Sequence, residues 1–220
     1  WTLTFVTENK NYMRQVTQAI TFVRSRALNL GTFAENGDYW AGPRGIVDSS
    51  QEVDMGVFKI NGKNYRLIFA KSNLTEDGLA ANEYAYGDYF AWGATEPWYS
   101  SISGNTFTWK PGKEDGYTEA NAPTFSPEYE INTDFKMSDD PARKILGGDW
   151  QIPTKAIWEA LVYNSSSKGW DSGYKFTNNS QTLFLPAAGY VFGKLLRNVG
   201  SQGRYLSGTA YSSYDAYCLY

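Results

Sequence analysis

The sequence predicts an α+β fold of short, twisted antiparallel sheets and two short helices, and three observations lead there. Aromatic residues make up 17% of the 220 residues and are accompanied by 21 glycines, with 17 Tyr against 12 Phe, a mix that suits short strands, frequent turns and amphipathic rings near the surface. Asn61-Gly62 stands between two alternating apolar and polar runs, the strongest local hairpin signal because both turn positions want positive φ. Two helix starts each carry their own cap, at Asp140-Pro141 and at Thr154.

Taken in order, Trp1–Thr7, Val16–Arg24 and Arg26–Phe33 read as strands, the first two joined by the polar turn Glu8-Asn9-Lys10-Asn11. So few strands are marginal alone. They complete a sheet either in a domain whose earlier part precedes this chain or by pairing with the edge of another subunit. The Gly, Pro, Asn, Asp and Ser density of residues 34–50 reads as a linker. Val57–Asn61 and Lys63–Phe69 form the Asn61-Gly62 hairpin. Asn73–Glu83 reads as a loop, and the aromatic run that follows, with Tyr89, Phe90 and Trp92 among small residues, as core. Ser100–Asn132 lacks sustained periodicity and is either an extended surface loop or a binding loop.

Asp140 caps a helix that Pro141 opens and Gly147 ends. The stretch Gly147–Leu161 (GGDWQIPTKAIWEAL) then supplies a glycine stop, an extended segment Asp149–Ile152, and a second helix capped by Thr154. Its Ile157, Ala160 and Leu161 share one face that Trp158 and Val162 broaden, enough to pack on a sheet. Gly173–Thr177, Thr182–Leu185, Gly189–Phe192, Arg204–Ser207 and Asp215–Tyr220 read as closing strands.

Several chemistries are excluded or weakened. The chain has no histidine, which removes imidazole bases and every His-containing metal site. Its formal charge is −3, with no basic footprint for nucleic acid, and no apolar run approaches the roughly 20 residues of a membrane helix. The single cysteine, Cys218, reads as a structural thiol, because a reactive one wants a positive neighbourhood that Tyr217 and Leu219 do not supply. The adjacent acids Asp139/Asp140 and Glu114/Asp115 point apart on most backbones, and neither they nor Glu128 and Glu130, which flank Tyr129, imply an acid-base pair. Asp115, Glu119 and Asn121 lack calcium-loop spacing, and Gly200–Gly203 reads as a turn between strands. No catalytic residue, metal or cofactor is expected. The rings of Trp98, Tyr99, Trp109 and Tyr117 lie in or beside polar loops, where exposed aromatics stack on sugar faces or make a protein contact; some of them would simply anchor the loop.

Four separated blocks carry a family resemblance: Tyr86–Pro97 (YGDYFAWGATEP), Gly147–Leu161, Phe184–Tyr190 (FLPAAGY), and Gly203–Ser207 followed by Ser212–Tyr220. In order and spacing, the chain from Val53 to Tyr220 resembles the Fibrobacter succinogenes major paralogous domain, found in surface proteins of Bacteroidetes and Fibrobacteres. The resemblance implies a C-type-lectin-like fold over 51–220, shared distantly with formylglycine-generating enzymes and truncated at its C-terminus. It implies no activity, since those enzymes use a cysteine pair. Calcium-dependent lectins use a Glu-Pro-Asn type tripeptide, and Glu96-Pro97-Trp98 lacks the amide. Residues 27–33 (ALNLGTF) are similar to the closing strand of fimbrillin-like β-sandwich domains, which makes 1–33 the terminal strands of such a domain, a partial β-sandwich ahead of the linker. The combined expectation is a non-enzymatic adhesin-type domain, extracellular and fimbrial or attached to the outer membrane, that binds a glycan or a protein through the region 98–129. The alternative expectation is a structural pilus or envelope subunit that docks its neighbour by strand complementation and binds no ligand.

Overall fold

The computed structural model describes Thr2–Val6, Asn11–Gln15, Tyr39–Gly42 and residues 50–114, 130–134, 136–192, 195–212 and 215–220. Over these residues the fold is α+β, with short antiparallel strands and two α-helices. The first three strands, β1 (Thr2–Val6), β2 (Asn11–Gln15) and β3 (Tyr39–Gly42), form one sheet in the order β1-β2-β3. Val6 stands opposite Asn11, so the predicted first hairpin is present, but its second strand begins at Asn11 rather than Val16. The 34–50 stretch expected to be a linker contributes β3, which pairs with β2 and lies against the next hairpin. The runs expected at 16–24 and 26–33 lie outside the described residues.

That next hairpin joins β4 (Glu52–Ile60) and β5 (Lys63–Ala70), with Ile60 opposite Lys63. Its turn is the one the sequence announces: Asn61 and Gly62 have φ of 49° and 81°. A bulge at Asp54–Gly56 bends β4. There Asp54 Oδ1 accepts from the Gly56 N–H at 2.9 Å and its Oδ2 accepts from Arg66 Nε at 3.0 Å. Two short pairs follow: β6 (Leu74–Thr75) with β7 (Gly78–Leu79), and β8 (Tyr99–Ser103) with β9 (Thr106–Trp109).

Both helices start where the caps predict. Asp140 Oδ1 accepts from the N–H groups of Ala142 (2.9 Å) and Arg143 (3.1 Å) to open α1 (Pro141–Leu146), which Gly147 closes at φ 69°. Asp140 Oδ2 also accepts from the Ile152 N–H at 2.8 Å, which clamps the 147–152 segment to the helix start. The segment read as extended, Asp149–Ile152, pairs with no strand: it leaves a turn at Gly148-Asp149 as irregular chain, with the Trp150 N–H donating to the Gly147 carbonyl and the Ile152 N–H to Asp140. Thr154 caps α2 (Lys155–Asn164) through the Ile157 N–H. Trp158, Ala160 and Leu161 are buried against Val53, Met55, Phe58, Leu67 and Phe69 of the β4–β5 hairpin, with Ile157 and Val162 packed beside them. Each of these large apolar side chains contributes about 1.5–3 kcal/mol by leaving water.

The other wall of this core is the sheet β10 (Ser167–Trp170), β11 (Gly173–Asn178) and β12 (Gln181–Pro186), whose Phe176, Leu183 and Leu185 join the same buried cluster and whose β11 and β12 lie against β4. Its β11–β12 turn docks on the β4 bulge: Asn178 Nδ2 donates to the Met55 carbonyl at 2.7 Å and Asn179 Nδ2 to that of Asp54 at 3.3 Å. Two hairpins finish the chain, β13 (Tyr190–Phe192) with β14 (Leu195–Arg197), and β15 (Tyr205–Ala210) with β16 (Ala216–Leu219). Trp158 Nε1 donates to the Leu206 carbonyl at 3.2 Å and Trp92 Nε1 to that of Ser207 at 3.0 Å, so β15 is tied to the core by two indoles.

Candidate functional site

The block Phe184–Tyr190 turns β12 into the β13–β14 hairpin through Ala187 and Ala188, both buried. Three N–H groups fix that corner: Ala188 donates to Pro186 (2.7 Å), Gly189 to Gln202 (2.6 Å) and Gly200 to Ala187 (2.7 Å). Gly189 has φ 74°, and a Cβ there would run into the carbonyl oxygen of Arg197. Two phenols close the corner from the side. Tyr89 Oη donates to the Ala188 carbonyl at 2.5 Å, and Tyr205 Oη to that of Pro186 at 2.6 Å.

On this seat the hairpin has two distinct faces. Val191 stands opposite Leu196, and Tyr190 and Phe192 stand opposite Arg197 and Leu195. Because side chains alternate along a strand, Val191 and Leu196 point one way and the other four point the opposite way. Leu196 is buried in a cluster with Tyr99 and Phe107, against which Val191, Tyr89 and Trp109 pack. The outer face is open: Phe192 is 67% and Leu195 50% exposed. Arg204 lies over the Tyr190 ring at 3.8 Å and Arg197 over the Phe192 ring at 5.6 Å. Among the described residues, neither guanidinium is paired with a carboxylate.

This face edges a cleft of about 1590 Å³ whose lining includes Tyr190, Phe192, Arg204, Cys218, Tyr89 and Trp109. Four of the polar groups along it, Asp88, Tyr89, Tyr99 and Tyr205, are committed to the fold. Tyr99 Oη donates to Asp88 Oδ1 at 2.9 Å while accepting from the Tyr89 N–H at 2.8 Å, and the other Asp88 oxygen accepts from the Glu76 N–H at 2.7 Å. Burial, helped by the charge of neighbouring Tyr86, pushes the Tyr89 phenol up to about 12; burial also raises Tyr99 and Tyr205 well above the ordinary phenol value. These phenols therefore stay protonated and serve as hydrogen-bond donors. Burial likewise pushes the Cys218 thiol up, and Arg204, the positive neighbour the local sequence does not reveal, offsets only part of that.

The four rings singled out in the sequence have different places. Trp98 and Tyr99 are 7% and 6% exposed, so the expectation of open rings there is corrected. Lys113 Nζ sits 4.3 Å over the Trp98 ring, and Tyr99 lies 5.0 Å from Phe107. Trp109 is half-buried with its ring 5.2 Å from Phe107. Tyr99 and Trp109 thus meet in the aromatic bed beneath the β13–β14 hairpin. Tyr117 lies outside the described residues, as do Asp115, Glu119 and Asn121. The 100–132 stretch begins not as a loop but as the β8–β9 hairpin, which the packing of Phe107 holds in place. Among the described residues there is no group of three acidic or thiol side chains placed to hold a metal ion, and no helix is long and apolar enough to cross a membrane.

The candidate face itself is not legible in the sequence, where only Gly189–Phe192 reads as a strand. The signal was Gly193-Lys194 between Phe192 and Leu195, a Gly-X pair of the kind that suits a two-residue hairpin connection. A second ring pair, exposed Tyr84 with half-buried Phe184 at 5.2 Å, borders an ion pair in which Lys175 Nζ reaches Asp171 at 2.7 Å. No family model, curated protein or solved structure matches the chain.

Proposed function

We propose that this chain is a non-enzymatic recognition domain of C-type-lectin-like fold, displayed on a bacterial surface or fimbria, that binds a glycan through the outer face of the β13–β14 hairpin. One observation carries the reading: Phe192, Leu195 and Arg197 are exposed beside the half-buried Tyr190 on one face whose reverse side, Val191 and Leu196, is locked into an aromatic cluster. Exposed rings on a rigid strand present large apolar area at little conformational cost, and a flanking arginine adds directed donors. The sequence blocks that resemble the surface-protein domain support the fold and the location. The non-catalytic reading is supported by the commitment of Asp88, Tyr89, Tyr99 and Tyr205 to structural hydrogen bonds.

A glycan array probed with the intact chain, followed by titration of the best ligand, tests the proposal. Phe192→Ala should abolish or severely weaken binding and leave the unfolding midpoint unchanged. Trp109→Ala should weaken binding only together with a loss of stability, because its ring supports the face from below. Undiminished binding by a folded Phe192→Ala variant would sink the assigned face, and an array without any ligand would sink the glycan reading itself.

A further inference from the structure

Resting on that reading, we infer that the β13–β14 face selects acidic glycans, those whose sugars carry carboxylate or sulfate groups. Arg197 and Arg204 each lie over an aromatic ring. A guanidinium held over a ring keeps its N–H edges free for an oxyanion and has already given up part of its rotamer freedom. Both are solvent-exposed, and neither is neutralised by a carboxylate among the described residues. The contrast within the molecule is informative. The Tyr84–Phe184 surface also combines rings with a cation, but its Lys175 is already bonded to Asp171 at 2.7 Å, so that surface offers no uncompensated charge.

The chain as a whole is acidic, with a formal charge of −3, and would repel a polyanion at long range. Attraction must therefore come from this local patch, where Arg197 and Arg204 concentrate positive charge. Tyr190 and Phe192 stand two residues apart on one strand, a spacing of roughly 6–7 Å. A run of sugar rings can cover Phe192 and Leu195 while their acidic substituents reach the two arginines. An acidic peptide would satisfy the charges but would leave the open ring and leucine faces poorly used, which favours the saccharide.

The test compares matched neutral and acidic probes by titration calorimetry with the intact chain: oligogalacturonate against its methyl ester, and dextran sulfate against dextran. The expected result is a preference of ten-fold or more for at least one acidic member over its neutral partner, weakening as salt is added. That preference should be lost in Arg197→Gln and Arg204→Gln variants whose unfolding midpoints match the parent; each removed charge-assisted contact should weaken binding by about ten-fold or more. Equal affinity for neutral and acidic partners would overturn the acidic selectivity while leaving the recognition proposal standing. Acidic preference that survives in both folded arginine variants would remove it from this face. Polyglutamate bound as tightly as the acidic glycan, and equally sensitive to the two variants, would overturn the choice of a saccharide. Failure to bind any probe, together with a blank array, would overturn both.

Discussion

The backbone N–H of Tyr89 donates to the hydroxyl of Tyr99 at 2.8 Å, which couples the segment before β8 to the aromatic bed under the candidate face. The same hydroxyl donates to Asp88 at 2.9 Å, so a single oxygen serves two partners where water has little access. Tyr99→Phe keeps the ring and its packing on Phe107 but leaves the Tyr89 N–H and one Asp88 oxygen short of a partner. Loss of about 1–3 kcal/mol is expected, read as a lower denaturant midpoint with an unchanged slope. A midpoint equal to that of the parent would show that the hydroxyl network carries no stability.

Asp140 is 4% exposed and accepts three backbone N–H groups, from Ala142, Arg143 and Ile152. An ordinary helix cap is worth about 0.5–2 kcal/mol, and here one oxygen also anchors the chain leading into α2. Asp140→Ala should therefore cost at least about 2 kcal/mol. Thr154→Ala removes only the 3.4 Å cap bond to Ile157 and should cost less. Thermal unfolding of the two variants side by side ranks them; the reverse order would mean that the 147–152 segment holds its position without Asp140.

What the sequence discloses and what it hides divide along the range of the interactions. Asp140, Thr154 and Asn61-Gly62 are legible because their bonds close within a few residues of the chain, so residue type alone names the structure. The burial of Trp98 and Tyr99 is not legible, because the groups that cover them arrive from farther along the chain: Lys113 beyond β9 for one, and Phe107 from across the β8–β9 hairpin with Leu196 from β14 for the other. Proximity to polar loops points the wrong way for these two rings. The β10 strand is hidden for another reason: its Ser167, Lys168, Gly169 and Trp170 are all exposed, so it shows no alternation and is recruited only by pairing with β11. The candidate face falls between these cases. Its inward Val191 and Leu196 and its outward Tyr190, Phe192, Leu195 and Arg197 follow the period of a strand, but the outward residues are too apolar for the alternation to stand out.

Gly189 holds the register of that face. With φ 74° and the Arg197 carbonyl oxygen against the site of a Cβ, substitution by alanine meets both backbone strain and a steric clash with the main chain. Gly189→Ala should destabilise the protein by more than about 2 kcal/mol. In the fraction that folds it should also displace Tyr190 from its place opposite Arg197 and weaken ligand binding. Gly104→Ala, at φ 58° with nothing near the site of its Cβ, is the control for strain alone and should cost about 1 kcal/mol. Equal effects of the two substitutions on both stability and binding would remove the close approach at Gly189 as the cause.

Alkaline pH gives a readout of the buried phenols that needs no substitution. Tyr89 is pushed up to about 12, and Tyr99 and Tyr205 are also raised by burial, whereas tyrosines of the unfolded chain ionise near about pH 10. Above that value the unfolded chain gives up protons that the native state still holds. The stability contributed by the neutral phenols is therefore complete below about pH 10 and is lost progressively as pH rises towards about 12. Equilibrium unfolding across this window should show a falling midpoint, and the phenolate absorbance of these three residues should appear together with unfolding rather than before it. In Tyr99→Phe one such phenol is gone, so the variant, although weaker at neutral pH, should lose stability with pH less steeply than the parent. A parent midpoint that stays flat through the window would mean that these hydroxyls titrate freely in the native protein, and the bonds from Tyr89 to Ala188 and from Tyr205 to Pro186 would then not be what holds the hairpin seat.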